Sequence, residues 1–235
     1  MAYNDLGMVK EDKINKSALS PGDLGQQGRH FGKRLCVKSL IFEEYSLKHL
    51  LMAVQMTKRL LTVEEYHKMG EAGILQEKGI ELINGEIIQM SPIGSKHAAV
   101  VNLLNEILFE KLGKNAIISV QNPVRLSDLS EPEPDIAILK RKEGRYFNHL
   151  PKAMDTLLVI EIADTSLAYD REIKLPLYAE GGIPECWLVN LEDNVIEVHW
   201  QPAGNAYKFR ELLRAGDVVK ARNLDLSIPV KEVFL

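Results

Sequence analysis

From position 56 onward the apolar residues fall into periods that alternate between helix and strand. Thr62 followed by Glu65 forms a capping box, which predicts a short helix ending near Gly70 or Gly73. Two short runs, Ile80-Glu81-Leu82-Ile83 and Glu86-Ile87-Ile88-Gln89-Met90, flank Asn84-Gly85. Both central positions of a type I′ turn need positive φ, which Asn and Gly tolerate, so this stretch predicts a β-hairpin. Ser95 is expected to cap a helix running to about Leu112, with Val100, Leu104, Ile107 and Leu108 inward and Gly113 as its stop.

The next stretch reads as strands. Ile117–Val120 is one, and Ile136–Leu139, entered through Glu133-Pro134-Asp135, is another. Thr156–Ala163 is an almost continuous apolar run, as a central strand buried on both faces requires. A helix is expected between Tyr169 and Glu180, its regular part starting near Leu175 with Pro176 in the first turn. Glu185–Asn190 returns to the sheet, and segments around Ile196 and from Tyr207 to Leu212 suggest an antiparallel C-terminal extension. The alternation implies an α/β domain over 56–235. Residues 1–55 carry no motif. They read as a largely irregular extension, with Ser20-Pro21-Gly22-Asp23 as loop and a helix near 39–55. We expect this extension to be dispensable for catalysis, with Met56 as the working start; the alternative is an extension that docks on the domain.

Composition narrows the function classes. With 46% hydrophobic and 26% charged residues, the 235-residue chain has the make-up of a folded domain. The formal charge of −4 is not that of a passive basic DNA-binding module. Residues 1–55 carry eight Lys/Arg against six Asp/Glu, and the remainder 21 against 27, a net of −6. An acidic domain is still compatible with a nuclease, because a metal site is built from carboxylates and the cation restores attraction for phosphate. Cys36 and Cys186 lack zinc-ligand spacing and suit a reducing cytoplasm. No apolar run suggests a membrane span or a secretory signal, so a cytoplasmic protein with no membrane partner is expected.

Two acids stand out. Asp135 follows Pro134 at the start of a strand, and Glu161 lies between Ile160 and Ile162 in the most apolar run of the chain. Burying carboxylates side by side is costly, and a divalent cation between them removes both the desolvation and the repulsion. Hard oxygen donors suit Mg²⁺, or Mn²⁺, rather than zinc. Each residue also has a plainer reading. Asp135 alone fits a turn after proline, and Glu161 fits an ion pair with Lys174 or Arg171. Glu81 alternates with apolar neighbours and reads equally as a site residue or a solvated one. His97 reads first as structural, and Tyr178 and Trp187 as core packing and polar tethering, with base stacking as the alternative. Glu131 and Glu133 are expected to be solvated, with Glu133 able to assist a metal; Asp164 and Asp170 read as turn and helix-start residues.

Taken in order, Ile80-Glu81-Leu82-Ile83-Asn84-Gly85-Glu86, Ser95-x-His97, Pro134-Asp135, Glu161-Ile162-Ala163, Asp170, Lys174, Tyr178, Gly182-Ile183-Pro184-Glu185 and Trp187 resemble the Uma family of restriction endonucleases within the PD-(D/E)XK superfamily. The resemblance covers about residues 56–235. It implies a restriction-endonuclease-like core, a mixed β-sheet flanked by helices. It implies a Mg²⁺-dependent endonuclease acting on DNA, with Asp135, Glu161 and the backbone carbonyl of Ile162 as metal ligands. Catalysis would use Asp135, Glu161, Lys174 and Glu81, with His97 and Glu133 accessory. The motif's usual lysine is replaced by Ala163, and Lys174 is its expected substitute, orienting water or stabilising the charge that grows on the phosphorus centre. The alternatives are a non-catalytic interaction module on the same fold, or a phosphoesterase acting on RNA or nucleotides. A homodimer is expected, because cutting both strands of a duplex suits a two-fold pair of sites. Removing Asp135 or Glu161 is expected to leave the fold intact.

Overall fold

The computed structural model describes residues 57–234, so the loop and helix expected within 1–55 lie outside the described residues. The first helix, α1 (Val63–Glu71), is capped as its sequence requires. The Thr62 hydroxyl accepts the Glu65 amide at 3.2 Å, and the Glu65 carboxylate accepts the Thr62 amide at 3.0 Å. Strands β1 (Ile80–Ile83) and β2 (Glu86–Gln89) pair antiparallel around Asn84 and Gly85, whose φ values are 50° and 76°. Helix α2 (Ser95–Leu112) differs from expectation at its start: Gly94, not Ser95, is the N-cap, and no side chain caps it. Its inward face is Val100, Val101, Leu104, Leu108 and Leu112, with Ile107 only partly covered.

Six strands form the main sheet in the order β3 (Ala116–Val120), β4 (Ile136–Lys140), β5 (Thr156–Ala163), β6 (Glu185–Asn190), β7 (Val195–Ala203) and β8 (Ala206–Leu213). All neighbours are antiparallel except β5 and β6, so the sheet is mixed, with β7 and β8 as its antiparallel extension. A small hairpin, β9 (Val218–Lys220) with β10 (Ser227–Pro229), follows; three-residue strands leave no periodic trace in a sequence.

A parallel pair needs a crossover, and this one carries the site. It runs through α3 (Leu167–Tyr169), a π turn (Asp170–Lys174) and α4 (Leu175–Glu180). The regular helix begins at Leu175 with Pro176 in its first turn, as expected, and other helical structure precedes it from Leu167, two residues before Tyr169. The Leu175 amide reaches back five residues to the Asp170 carbonyl, and Pro176, which has no amide hydrogen, falls where that wide turn returns to α geometry. The sheet's two faces divide the labour. Ile136, Ile138, Leu158, Ile160, Ile162, Trp187 and Val189 pack beneath α2. Val159, Cys186 and Leu188, on the opposite face, meet Tyr178 and Ile183 of the crossover. Among the described residues no helix is long and apolar enough to cross a membrane.

Gly85 is required twice over. Besides its positive φ, a Cβ there would lie 2.6 Å from the Leu60 Cβ, and its carbonyl and amide are both bonded, to the Leu61 amide and the Leu129 carbonyl. Gly204 has φ +63° but open space around it. Gly204→Ala should therefore cost about 1–3 kcal/mol of backbone strain, and Gly85→Ala clearly more. Urea unfolding of both variants checks the order; equal losses would mean that the Leu60 contact yields without cost.

Candidate active site

Alternation along β5 turns Glu161 toward the crossover, away from α2, at the carboxyl ends of the parallel pair. It is 2% exposed. One oxygen, Oε1, accepts the Tyr178 hydroxyl at 2.5 Å and lies 3.2 Å from Lys174 Nζ. The other, Oε2, accepts the Asp135 amide at 3.2 Å. Tyr178, expected as core packing and polar tethering, is a donor to the central acid. Asp135 stands just before β4, and its Oδ2 accepts the Ile162 amide at 2.9 Å and faces His97 Nε2 at 2.9 Å. Gln121 Nε2 approaches Oδ1 at 3.4 Å. A strand residue's amide and carbonyl leave on the same edge, so the Ile162 carbonyl also faces the Asp135 side.

Lys174 comes from the last residue of the π turn, and its ammonium bridges Glu161 to Glu81 of β1, at 3.1 Å from Glu81 Oε1. Glu81 is buried, which rules out the solvated reading, and its Oε2 has no hydrogen-bond partner among the described residues. Of the two cations weighed as partners for Glu161, Lys174 is the one found; Arg171 turns instead to Glu197. Asp170, expected at a helix start, is buried in the π turn and takes a hydrogen bond from the Ser166 hydroxyl at 2.6 Å. The spacing 170, 174, 178 places three polar groups at successive four-residue steps, a signal in the sequence for this polar seam.

The electrostatics follow from burial and from an excess of acid. Burial, then the charges of Asp135 and Asp170, push the Glu161 carboxyl well above the ordinary range against the pull of Lys174. Asp170 is raised by burial as well. Burial alone would lower Lys174, but Glu161, Glu81, Asp170 and Asp135 outweigh it and keep the ammonium charged. For His97, burial also works downward and is overcome by the hydrogen bond and charge of Asp135. Glu133 is half-buried beside this group, its carboxyl raised by burial and then by Glu81. Glu131 is not solvated as expected: it is buried, hydrogen-bonded through its amide to the Leu82 carbonyl, and faces His67 at 2.7 Å.

These donors suit a hard divalent cation in chemistry and in charge. Asp135, Glu161, Glu81 and Asp170 all act on the buried Lys174 ammonium, and among the described residues Glu81 Oε2 is left without a partner. Among the described residues no group of three or more His, Cys, Asp or Glu stands ready to enclose a metal. That is no obstacle for Mg²⁺, which keeps several waters and takes one or two carboxylates from a protein. Asp135 and Glu161 could supply such a pair, with the Ile162 carbonyl beside them.

The arrangement also revises what substitution should do. Deleting the Glu161 carboxylate strips Tyr178, Lys174 and the Asp135 amide of their acceptor, so it cannot be neutral for the fold. Lys174→Met should be harsher, because it leaves Glu81 and Glu161 buried without their cation. Breaking such a bridge from one side costs about 3–5 kcal/mol, readable by urea unfolding in EDTA. Wild-type stability in Lys174→Met would show that the ammonium contributes nothing to the fold.

A profile of the Uma2 family, described as "Putative restriction endonuclease", matches residues 63–231. Among solved structures the fold is similar to one described as "a putative nuclease belonging to DUF820" from Anabaena variabilis, with a TM-score of 0.56 at 18% identity. The match covers 74% of this chain and 97% of that one, and at such identity the likeness is one of fold. A search of curated proteins finds none that matches.

Proposed function

Because the chain belongs to the Uma2 family and has a restriction-endonuclease-like nuclease fold, we propose that it is a Mg²⁺-dependent endonuclease hydrolysing phosphodiester bonds of DNA. The observation that carries the reading is the meeting of Asp135, Glu161 and Lys174 at the carboxyl ends of the parallel strands. That is where ligands gather in sheets of this kind. Asp135 and Glu161, with the Ile162 carbonyl, would hold the cation. A bound Mg²⁺ supplies charge to the phosphoryl oxygen and acidifies water. His97 fixes the orientation of the Asp135 carboxylate, and the Ile162 amide fixes it from the other side. Tyr178 and the Asp135 amide hold Glu161. Lys174, kept protonated, offers its charge to the negative charge that develops in the transition state. Ala163 cannot do this, and Lys174 arrives at Glu161 from the crossover instead. The working protein is a homodimer in this reading, and the free buried Cys186 fits a reducing cytoplasm.

One observation favours a second reading. Lys174 already bridges Glu81 and Glu161, as it would in a non-catalytic interaction module that kept the fold. Calorimetric titration with Mg²⁺ and Mn²⁺ separates the two: the nuclease binds a divalent cation and the module does not. With supercoiled and linear DNA as substrates, Asp135→Asn and Glu161→Gln should lower cleavage on the order of 10³-fold or more. Folded variants that cleave at wild-type rates would remove these acids from the chemistry. His97→Ala touches only the orientation of Asp135, so Mn²⁺ affinity should fall roughly 10–100-fold. Unchanged affinity would make His97 a purely structural residue.

A further inference from the structure

Glu197 of β7 lies opposite Leu188 of β6, which lies opposite Glu161 of β5. Residues paired across a sheet share a face, so Glu197 projects on the same side as Glu161, two strands away. At about 4.8 Å per strand, the two positions are roughly 10 Å apart. Glu197 is 1% exposed and heavily engaged. Arg171, from the π turn, gives Nε at 3.0 Å and Nη2 to Oε1. Arg210, on the edge strand β8, gives Nη2 to Oε2 at 2.9 Å, and His199 Nε2 lies 3.4 Å from the same oxygen. Burial opposes ionisation of Glu197, but His199 and the two guanidinium groups hold its carboxyl down at about 2, so it is charged throughout the working range.

The burial is one-sided. Lys174 is enclosed together with its acids, whereas the side chains of Arg171 and Arg210 stay 41% and 49% exposed. An acid that served only to tie elements together would not need two cations that face solvent. Two arginines meet one buried glutamate here, with Asp193 the further acid near Arg171, in a domain whose residues 56–235 sum to −6. Each guanidinium is a planar fork of five donors, suited to phosphate oxygens, and Glu197 engages two of those of Arg171. Arg171 also lies three residues before Lys174, so one crossover turn reaches both positions.

We propose that Arg171 and Arg210 form a phosphate clamp for the DNA backbone flanking the phosphodiester at Asp135 and Glu161, with Glu197 as the residue that positions both arginines. The clamp rests on the nuclease reading above and extends it to how the substrate is held. One strand of a duplex carries a phosphate for every 3.4 Å or so of axis, so a span of about 10 Å is a matter of a few nucleotides. Contacts of this kind set register along the backbone and carry no base preference.

The test is equilibrium binding of the full chain to a fluorescein-labelled 20-base-pair duplex, in EDTA and in Mg²⁺, over a series of salt concentrations. Losing one phosphate contact should flatten the slope of log affinity against log salt by about 0.9. Arg171→Ala and Arg210→Ala should each do this and weaken binding roughly tenfold, the worth of a charge-assisted hydrogen bond. Arg171→Lys and Arg210→Lys should keep the slope and lose part of the affinity. Glu197→Gln separates positioning from bulk charge: it makes the protein more positive, which by charge alone tightens binding, whereas loss of positioning weakens it. Thermal melts identify any variant that fails to fold, and the lysine variants carry the test if Glu197→Gln is one. Wild-type slopes in both alanine variants, or tighter binding by folded Glu197→Gln, overturn the clamp while leaving the nuclease reading in place. A wild type that neither binds nor cleaves the duplex overturns both.

Discussion

One buried ammonium is shared between two buried carboxylates that come from distant parts of the chain. Lys174 joins Glu81 on the small hairpin to Glu161 in the central strand, and so ties the hairpin, the sheet and the crossover together. Taking each of these ions out of water costs several kcal/mol, and the attraction among them repays that only when the geometry is good. Here the balance stays short of positive charge. Burial first, and then the charges of Asp135 and Asp170, raise the Glu161 carboxyl, and one oxygen of Glu81 finds no partner among the described residues. The two-stranded hairpin would be marginal alone, and it is held by this bridge, by the backbone of Leu129 and Glu131 and by the Ser130 hydroxyl.

The position of the site follows from the only parallel pair in the main sheet. Antiparallel neighbours connect through short turns, but β5 and β6 need a crossover, and the crossover brings Lys174 and Tyr178 over the strand that carries Glu161. Because α2 covers the other face with an apolar layer, the polar groups collect on one side. His97 escapes that division by standing in the first turn of α2, from where it reaches round to Asp135.

Much of this was legible wherever a local signal was strong. The Thr156–Ala163 run marked the central strand to its ends, Asn84-Gly85 marked the hairpin turn, and an acid between two isoleucines marked Glu161. The family resemblance supplied the order of the remaining motifs, and the matched profile bears out the family and the fold. What stayed hidden depends on contacts remote in sequence. Glu131 looks solvated beside two prolines until the hairpin edge and His67 of α1 enclose it. Asp170 looks like a helix start until the π turn draws it inward. Ser95 looked like a cap because its type is right, but the backbone places Gly94 there. Pro176 marked the first turn of the regular helix, but nothing local announces the wide turn that comes before it.

That wide turn also bears on how the chain can vary. Leu175 bonds five residues back, so the stretch Asp170–Lys174 holds one residue more than an α-helical turn of the same rise would. Deleting one of the five would let the backbone close into a regular helix and would leave the residues beyond it facing as before, because a π turn of five residues and an α turn of four sweep nearly the same rotation. The loss would be local: the turn would have one position fewer from which Asp170, Arg171 and Lys174 reach Ser166, Glu197 and Glu161. The surplus residue thus adds a contact to the crossover without altering its frame.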